Sequence, residues 1–370
     1  MELLPKIMKA VREGNKEALR AFLEQGNNAN QECYGSTPLL AAVSSGYQDV
    51  VTELLLHGAD PNFTASDSTT ALVRAVALEN KRIVDLLLSH KADPNGHISG
   101  YDTPLLRAIA KGYTSIMHLL LNYGADANYS IKRNSLADSV RVPLIGALKR
   151  MIAFSAEHSS EYRNEAFEMV KLLLDHNANP NVTGNYRECL YGILLRSVKP
   201  AEESQEDSDF QEIPLSIAVR AGEKELVTIL LQYGAYIEGG GKLSEIPLHA
   251  AVDGARPEMV QELIHRGAFI NSQDYYGQTA VHTAAYSAIS SDAAYECLNI
   301  LLSSGAQVNI QDYEGNTPLM FIFAYESSCW DVARIERIVK VLREASADVS
   351  IVNIDGKDAQ ALAQARGFKL

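Results

Sequence analysis

At 370 residues and 46% hydrophobic the chain can bury a large core, and 33 Lys and Arg against 46 Asp and Glu give a formal charge of -13; that balance disfavours a broad nucleic-acid footprint and favours solubility. The four cysteines, Cys33, Cys189, Cys297 and Cys329, lie far apart with no Cys-x-x-Cys pair, so neither a disulfide framework nor a zinc site is spelled out, and a reduced, cytoplasmic setting is expected. No apolar run reaches secretory or membrane-spanning length, and the opening MELLPKIMKAVREGNKEALR is broken by Lys6, Lys9, Arg12 and Glu13, so neither secretory export nor a membrane partner is expected.

Residues 35–62 read GSTPLLAAVSSGYQDVVTELLLHGADPN. Thr37 is placed to cap a helix, Pro38 suits the first turn because the missing amide hydrogen has no helical partner there, and the apolar run that follows predicts one short buried helix. Gly46 permits a tight turn. A second helix with Val50, Val51, Leu54 and Leu55 on one side follows, and Gly58 is expected to end it in the left-handed conformation. Both words recur. Thr37-Pro38-Leu39 returns as Thr70-Ala71-Leu72 and Thr103-Pro104-Leu105 at a step of 33 residues, and Ile213-Pro214-Leu215, Ile246-Pro247-Leu248 and Thr279-Ala280-Val281 keep that step. The second word recurs as Gly58-Ala59-Asp60, Ala92-Asp93, Gly124-Ala125-Asp126, Ala178-Asn179, Gly234-Ala235, Gly267-Ala268 and Gly305-Ala306. One helix pair cannot bury its apolar face alone, whereas stacked copies share a continuous seam.

Departures from the period mark insertions. Pro143 to Asn177 is 34 residues where Pro104 to Gly124 is 20, which places an insertion at 153–166, around AFSAEHSSEYRNEA, between two helices of one repeat. Smaller insertions fall in the same place near 286–295 and 324–334. Another, at 182–212, precedes Pro214: YRECLYGILLRSV at 186–198 is apolar enough for an extra or degenerate helix, and KPAEESQEDSDFQE reads as an acidic loop over 200–212, either a solvated insertion or an arm toward a basic partner.

The period of 33 residues, joined to Ile-Pro-Leu-His at 246–249, Thr-Ala-Val-His at 279–282 and Leu-Leu-x-x-Gly-Ala-Asp near 55–60, resembles the ankyrin repeat, from about Leu4 to Phe368. The resemblance implies an all-α fold of helix pairs with hairpin-like fingers, a single solenoid over 1–370. It would comprise an atypical repeat at 4–32, eight more starting near 33, 66, 99, 132, 185, 242, 275 and 313, and a C-terminal cap at 354–370. It further implies a concave face of fingers and first helices, and inter-helix insertions on the opposite edge. The irregular, insertion-rich array also resembles ankyrin-repeat effectors that intracellular bacteria deliver into host cells.

No catalytic constellation emerges. His249 and His282 fall in the Thr-Pro-Leu-His word, where the resemblance implies a structural hydrogen bond between fingers. Cys329, beside Trp330 and Asp331, has no identifiable base partner; it is the one residue on which an alternative reading, a thiol-dependent enzyme using the repeats to recognise substrate, would rest. Gly239-Gly240-Gly241-Lys242 lacks the spacing and hydroxyl of a phosphate loop and reads as a finger tip. The histidines form no metal pair, so no metal, cofactor or small-molecule substrate is expected.

What remains is a recognition surface for a protein partner of unknown identity, on a monomer. Finger and inner-helix positions carried over from the family give Tyr34, Asp67, Arg74 and Arg220. The dense part lies at 270–330: Tyr275 and Tyr276 on one finger, Tyr313 and Glu314 on the next, with Tyr286 and Tyr325 at the ends of the matching first helices. Tyrosine offers large contact area with few torsions to freeze, and strong hot spots are worth about 2 kcal/mol or more. The alternative for Tyr275 and Tyr313 is packing between adjacent fingers.

Overall fold

The computed structural model describes residues 6–33, 35–64, 69–96, 103–129, 142–155, 160–185, 211–240, 245–324 and 331–370. Its elements follow from the repeated words. Thr37, Thr70 and Thr103 each stand just before a first helix (Pro38–Ser45, Ala71–Ala77 and Pro104–Lys111), and their hydroxyls accept from the amides of Leu40, Val73 and Leu106 at 3.2, 3.2 and 3.1 Å. Such a cap is worth about 1 kcal/mol. Gly46 closes the first of these helices at φ 74°, a left-handed angle that only glycine adopts without strain. The second helix Gln48–Leu56 then turns back, burying Val50, Val51 and Leu54 against Leu39, Ala42 and Val43.

The chain forms two compact units, Met1–Asn179 and Pro180–Leu370. In the first, five helix pairs stack in sequence order: Lys6–Arg12 with Lys16–Glu24, Pro38–Ser45 with Gln48–Leu56, Ala71–Ala77 with Lys81–Ser89, Pro104–Lys111 with Thr114–Asn122, and Pro143–Ser155 with Ser160–Asp175. In the second, Pro214–Ala221 packs with Lys224–Gln232, Pro247–Asp253 with Pro257–His265 and Ala280–Ser287 with Asp292–Ser303 on the same plan, and Pro318–Ala324 is followed in the chain by Val332–Glu344. The last first-type helix, Ala359–Ala365, packs on Pro318–Ala324. Among the described residues, nine successive helix pairs and a terminal helix agree with the repeat count expected from the sequence. Among the described residues, the extended structure amounts to one two-residue pairing, Gly184-Asn185 against Gln211-Glu212, and isolated bridges in the fingers. That pairing closes the base of the 182–212 insertion; the rest of it, including 186–198 and most of the acidic loop, lies outside the described residues.

Among the described residues, the inter-helix insertions largely lengthen the flanking helices. Pro143–Ser155 and Ser160–Asp175 run 13 and 16 residues, against 8 and 9 for Pro104–Lys111 and Thr114–Asn122. Likewise Asp292–Ser303 and Val332–Glu344 extend to 12 and 13 residues.

A row of side-chain amides fastens each repeat to the next. Asn30 Nδ2 donates to the Gly58 carbonyl at 2.9 Å while its Oδ1 accepts from the Asp60 amide at 2.7 Å. Asn62 does the same to Lys91 and Asp93, Asn95 to Gly124 and Asp126, and Asn128 to Asn177 and Asn179. In the second unit Asn181 grips Gly234 and Tyr236, and Asn309 grips Ser346 and Asp348. Glu238 stands in the same row with a longer side chain: it accepts from the Phe269 amide at 2.7 Å and from the Ser272 hydroxyl at 2.8 Å. These bonds satisfy backbone groups at helix ends that would otherwise lack partners.

Candidate functional site

Three consecutive fingers, residues 273–279, 311–317 and 352–358, share one construction dictated by their words Gln-Asp-Tyr-Tyr-Gly-Gln-Thr, Gln-Asp-Tyr-Glu-Gly-Asn-Thr and Val-Asn-Ile-Asp-Gly-Lys-Asp. The second residue of each folds its side chain back onto the turn. Asp274 Oδ1 accepts from the amides of Tyr276 and Gln278 at 2.9 and 2.8 Å, Asp312 Oδ1 from those of Glu314 and Asn316 at 3.0 and 2.8 Å, and Asn353 Oδ1 from those of Asp355 and Lys357 at 3.1 and 3.0 Å. Burial raises the Asp312 carboxyl above its ordinary value, and the two amides it binds oppose that shift.

The fingers are stitched to one another. The Tyr313 amide donates to the Tyr276 carbonyl and the Ile354 amide to the Glu314 carbonyl, each at 3.0 Å. Gln273 Nε2 bridges the Gly277 and Gln311 carbonyls at 2.6 and 3.1 Å, and Gln311 Nε2 bridges those of Gly315 and Val352 at 2.7 and 3.0 Å. Close approach demands glycine: a Cβ on Gly277 would lie within 2.9 Å of the Tyr313 amide nitrogen. The third residue of each finger consequently projects from an ordered backbone. Tyr275, Tyr313 and Ile354 are 39, 73 and 75% exposed.

The other expected site residues divide. Tyr276 is half-buried, its ring edge-on to Tyr275 at 5.4 Å, and it supports the row from behind. Tyr286, at the end of Ala280–Ser287, is half-buried against Phe321 of the next repeat at 5.9 Å, and burial raises its phenol. Glu314 is exposed beside Tyr313 and accepts from Asn316 Nδ2 at 3.3 Å. Arg74 is half-buried on its first helix. Arg220 enters an ion cluster with two nearly buried carboxylates, Glu212 at 3.2 Å and Glu245. Tyr34, Asp67, Tyr325 and Cys329 lie outside the described residues. Ile354 is the tip residue the sequence reading passed over, although aligning Asn353-Ile354-Asp355-Gly356 with Asp312-Tyr313-Glu314-Gly315 puts it in register with Tyr313.

Among the described residues, His282, His249 and Cys297 are tied up in structure. His282 is fully buried: its Nδ1 accepts from the Thr279 amide at 3.0 Å, and its Nε2 lies 3.0 Å from the Asn316 carbonyl of the next finger. An Nδ1 that accepts fixes the neutral tautomer with hydrogen on Nε2. Burial is the main reason its pKa falls to about 4. His249 makes the equivalent bond to the Ser272 carbonyl at 3.0 Å. The Cys297 thiol is fully buried and pushed up to about 12, chiefly by that burial and then by Glu296, which removes the thiolate a nucleophile needs. Gly239 turns at φ 85°, while Gly241 and Lys242 lie outside the described residues. Among the described residues no group of three His, Cys, Asp or Glu side chains is placed to hold a metal ion, and no helix is long and apolar enough to cross a membrane.

A family profile described as ankyrin repeats (3 copies) matches residues 6–65, 49–131, 184–274, 215–312 and 248–353, most of the chain. The chain belongs to the ankyrin-repeat family. Ankyrin repeats are generally protein-interaction modules and typically non-enzymatic. Among curated proteins this ankyrin-repeat chain is similar to the 2-5A-dependent ribonuclease of Mus musculus, 39% identical over 66 residues, a stretch that is 17% of this chain and 9% of that protein. The match is about two repeat periods long and covers under a tenth of the relative.

Proposed function

We propose that this ankyrin-repeat protein is a non-catalytic adaptor, acting as a monomer and as one array over 1–370, that binds a protein partner on fingers and inner helices centred on residues 270–330. The observation that carries this reading is the tip row: Tyr275 and Tyr313, with Ile354 beside them, are exposed on a backbone already fixed by turn and cross-finger hydrogen bonds. A pre-ordered aromatic edge loses little entropy on binding, which is what lets a few side chains dominate an interface. The thiol-dependent alternative rests on Cys329, which lies outside the described residues.

The test is affinity capture from cell extract by the tagged full chain, with mass spectrometry, beside a Tyr275→Ala/Tyr313→Ala variant whose helical circular dichroism matches wild type. Proteins retained by the wild type and lost by the variant support the adaptor reading. An identical set captured by both would remove the tip row from the binding site.

A further inference from the structure

Along the sequence, charge across the first two fingers and the helices that follow them is one-sided. Between Arg266 and Arg334 the sequence has no Lys or Arg, while it has Asp274, Asp292, Glu296, Asp312, Glu314, Glu326 and Asp331. The four first-type helices of this region, PLHAAVD, AVHTAAYS, PLMFIFA and AQALAQA, contain no Lys or Arg either. Elsewhere the same helix position does contain them: Arg74, Arg107 and Lys111 in the first unit, and Arg220 in the repeat that opens the second. Where cations resume, three of them sit beside carboxylates. Arg334 and Arg337 lie 3.1 and 3.9 Å from Asp292, on second helices, and Lys357 on the third finger lies 3.7 Å from Asp355.

Not every acid in the region is available to a ligand. Asp274 and Asp312 are spent inside the finger turns. Glu314 and Asp355, each one residue after a tip, are exposed, though each already has a partner, Glu314 in Asn316 Nδ2 at 3.3 Å and Asp355 in Lys357 at 3.7 Å. The surface is thus an apolar row, Tyr275, Tyr313 and Ile354, edged by carboxylates.

We infer that this row takes a basic segment of a partner protein, one whose apolar side chains seat against the Tyr275, Tyr313 and Ile354 tips while its Lys or Arg side chains face Glu314 and Asp355. The inference rests on the finger site proposed above and adds the chemistry of its occupant. Complementary charge at the rim of an apolar contact speeds encounter and rejects acidic competitors. An acidic segment laid on the same row would meet like charge with no cation on the neighbouring first helices to offset it.

The experiment is a phage-displayed random 16-residue peptide library selected on the full chain, with enriched peptides resynthesised with a fluorescent label and titrated by anisotropy. The expected peptides have net positive charge and at least two apolar residues, and they bind several-fold more weakly as salt rises from low to high concentration. Tyr313→Ala/Ile354→Ala should abolish binding. Glu314→Lys/Asp355→Lys should weaken it about tenfold and the milder Glu314→Gln/Asp355→Asn about threefold, because rim charges act modestly and together. Tyr236→Ala/Phe269→Ala, at two exposed positions outside the tip row, should change nothing. Enriched peptides that are neutral or acidic yet lost with the tip variant would overturn the basic partner and leave the finger site standing. Peptides that bind the tip variant as well as wild type would overturn the finger site itself. A library that yields no enriched sequence would overturn the inference of a linear basic segment.

Discussion

Protonating His282 should loosen the second finger, residues 311–317. The ring is fully buried, its Nδ1 faces the Thr279 amide at 3.0 Å and hydroxyl at 2.9 Å, and its Nε2 holds the Asn316 carbonyl at 3.0 Å. A second proton would have to enter on Nδ1, where it would displace the Thr279 amide's hydrogen bond, and would place a charge in the core beside the Phe321 ring at 5.6 Å. The folded pKa is accordingly about 4, depressed from 6.5 first by burial and, less strongly, by His249. Because the folded value lies below the unfolded one, the stabilising difference is fully present above pH 6.5 and is lost as pH falls toward 4. At about 1.4 kcal/mol per pH unit, this one ring removes on the order of 3 kcal/mol across that window. The assay is urea unfolding followed by circular dichroism at several pH values between 7.5 and 4.5, for wild type and His282→Gln. Glutamine offers a donor to the Asn316 carbonyl but does not titrate, so the variant should be less stable at pH 7.5 and should lose less on acidification. Parallel profiles for the two proteins, offset by a constant, would refute the reasoning.

Two further outcomes follow from the backbone and the amide row. Lys91 and Ser346 hold left-handed angles, φ 68° and 70°, at the position where Gly58 and Gly305 stand in other repeats; Lys91→Gly and Ser346→Gly should each stabilise by up to about 1 kcal/mol, since relief of that strain outweighs the added freedom of the unfolded chain, and a lowered thermal midpoint would contradict this. Asn62→Ala removes bonds of 3.0 and 2.7 Å to Lys91 and Asp93 and should cost about 1 kcal/mol, with Asn62→Asp costing less because it keeps the acceptor; equal stability of all three proteins in urea would show that water replaces the amide.

The period, the capping threonines, the number of helix pairs and the terminal helix were legible because each rests on local chemistry repeated many times over. The inserted stretches were legible as insertions but not as helix. AFSAEHSSEYRNEA has neither proline nor glycine to stop a helix, and much of it extends the helices on either side of residues 156–159. Side-chain exposure was the harder quantity. Tyr275 and Tyr313 occupy the same position of closely similar words, yet Tyr275 is about half as exposed, with the neighbouring Tyr276 ring 5.4 Å away. The ring against Tyr286, Phe321, comes from the next repeat, 35 positions on in the sequence. Arg220 reads as a surface cation until Glu212 and Glu245, from separate fingers, are brought to it.

The amide row also determines where the chain tolerates extra length. The step from a gripping asparagine to the carbonyl it holds is 28 residues at Asn30, 37 at Asn309, 49 at Asn128 and 53 at Asn181, yet the bond forms each time at 2.8 to 3.1 Å. Spacing is therefore policed at the base of the fingers and left open between the helices and at the tip of the 182–212 insertion. A foreign peptide or a fluorescent protein spliced between residues 155 and 160 would be carried as cargo. The same splice between Gly58 and Asn62 would separate a grip from its neighbour and split the stack at that joint.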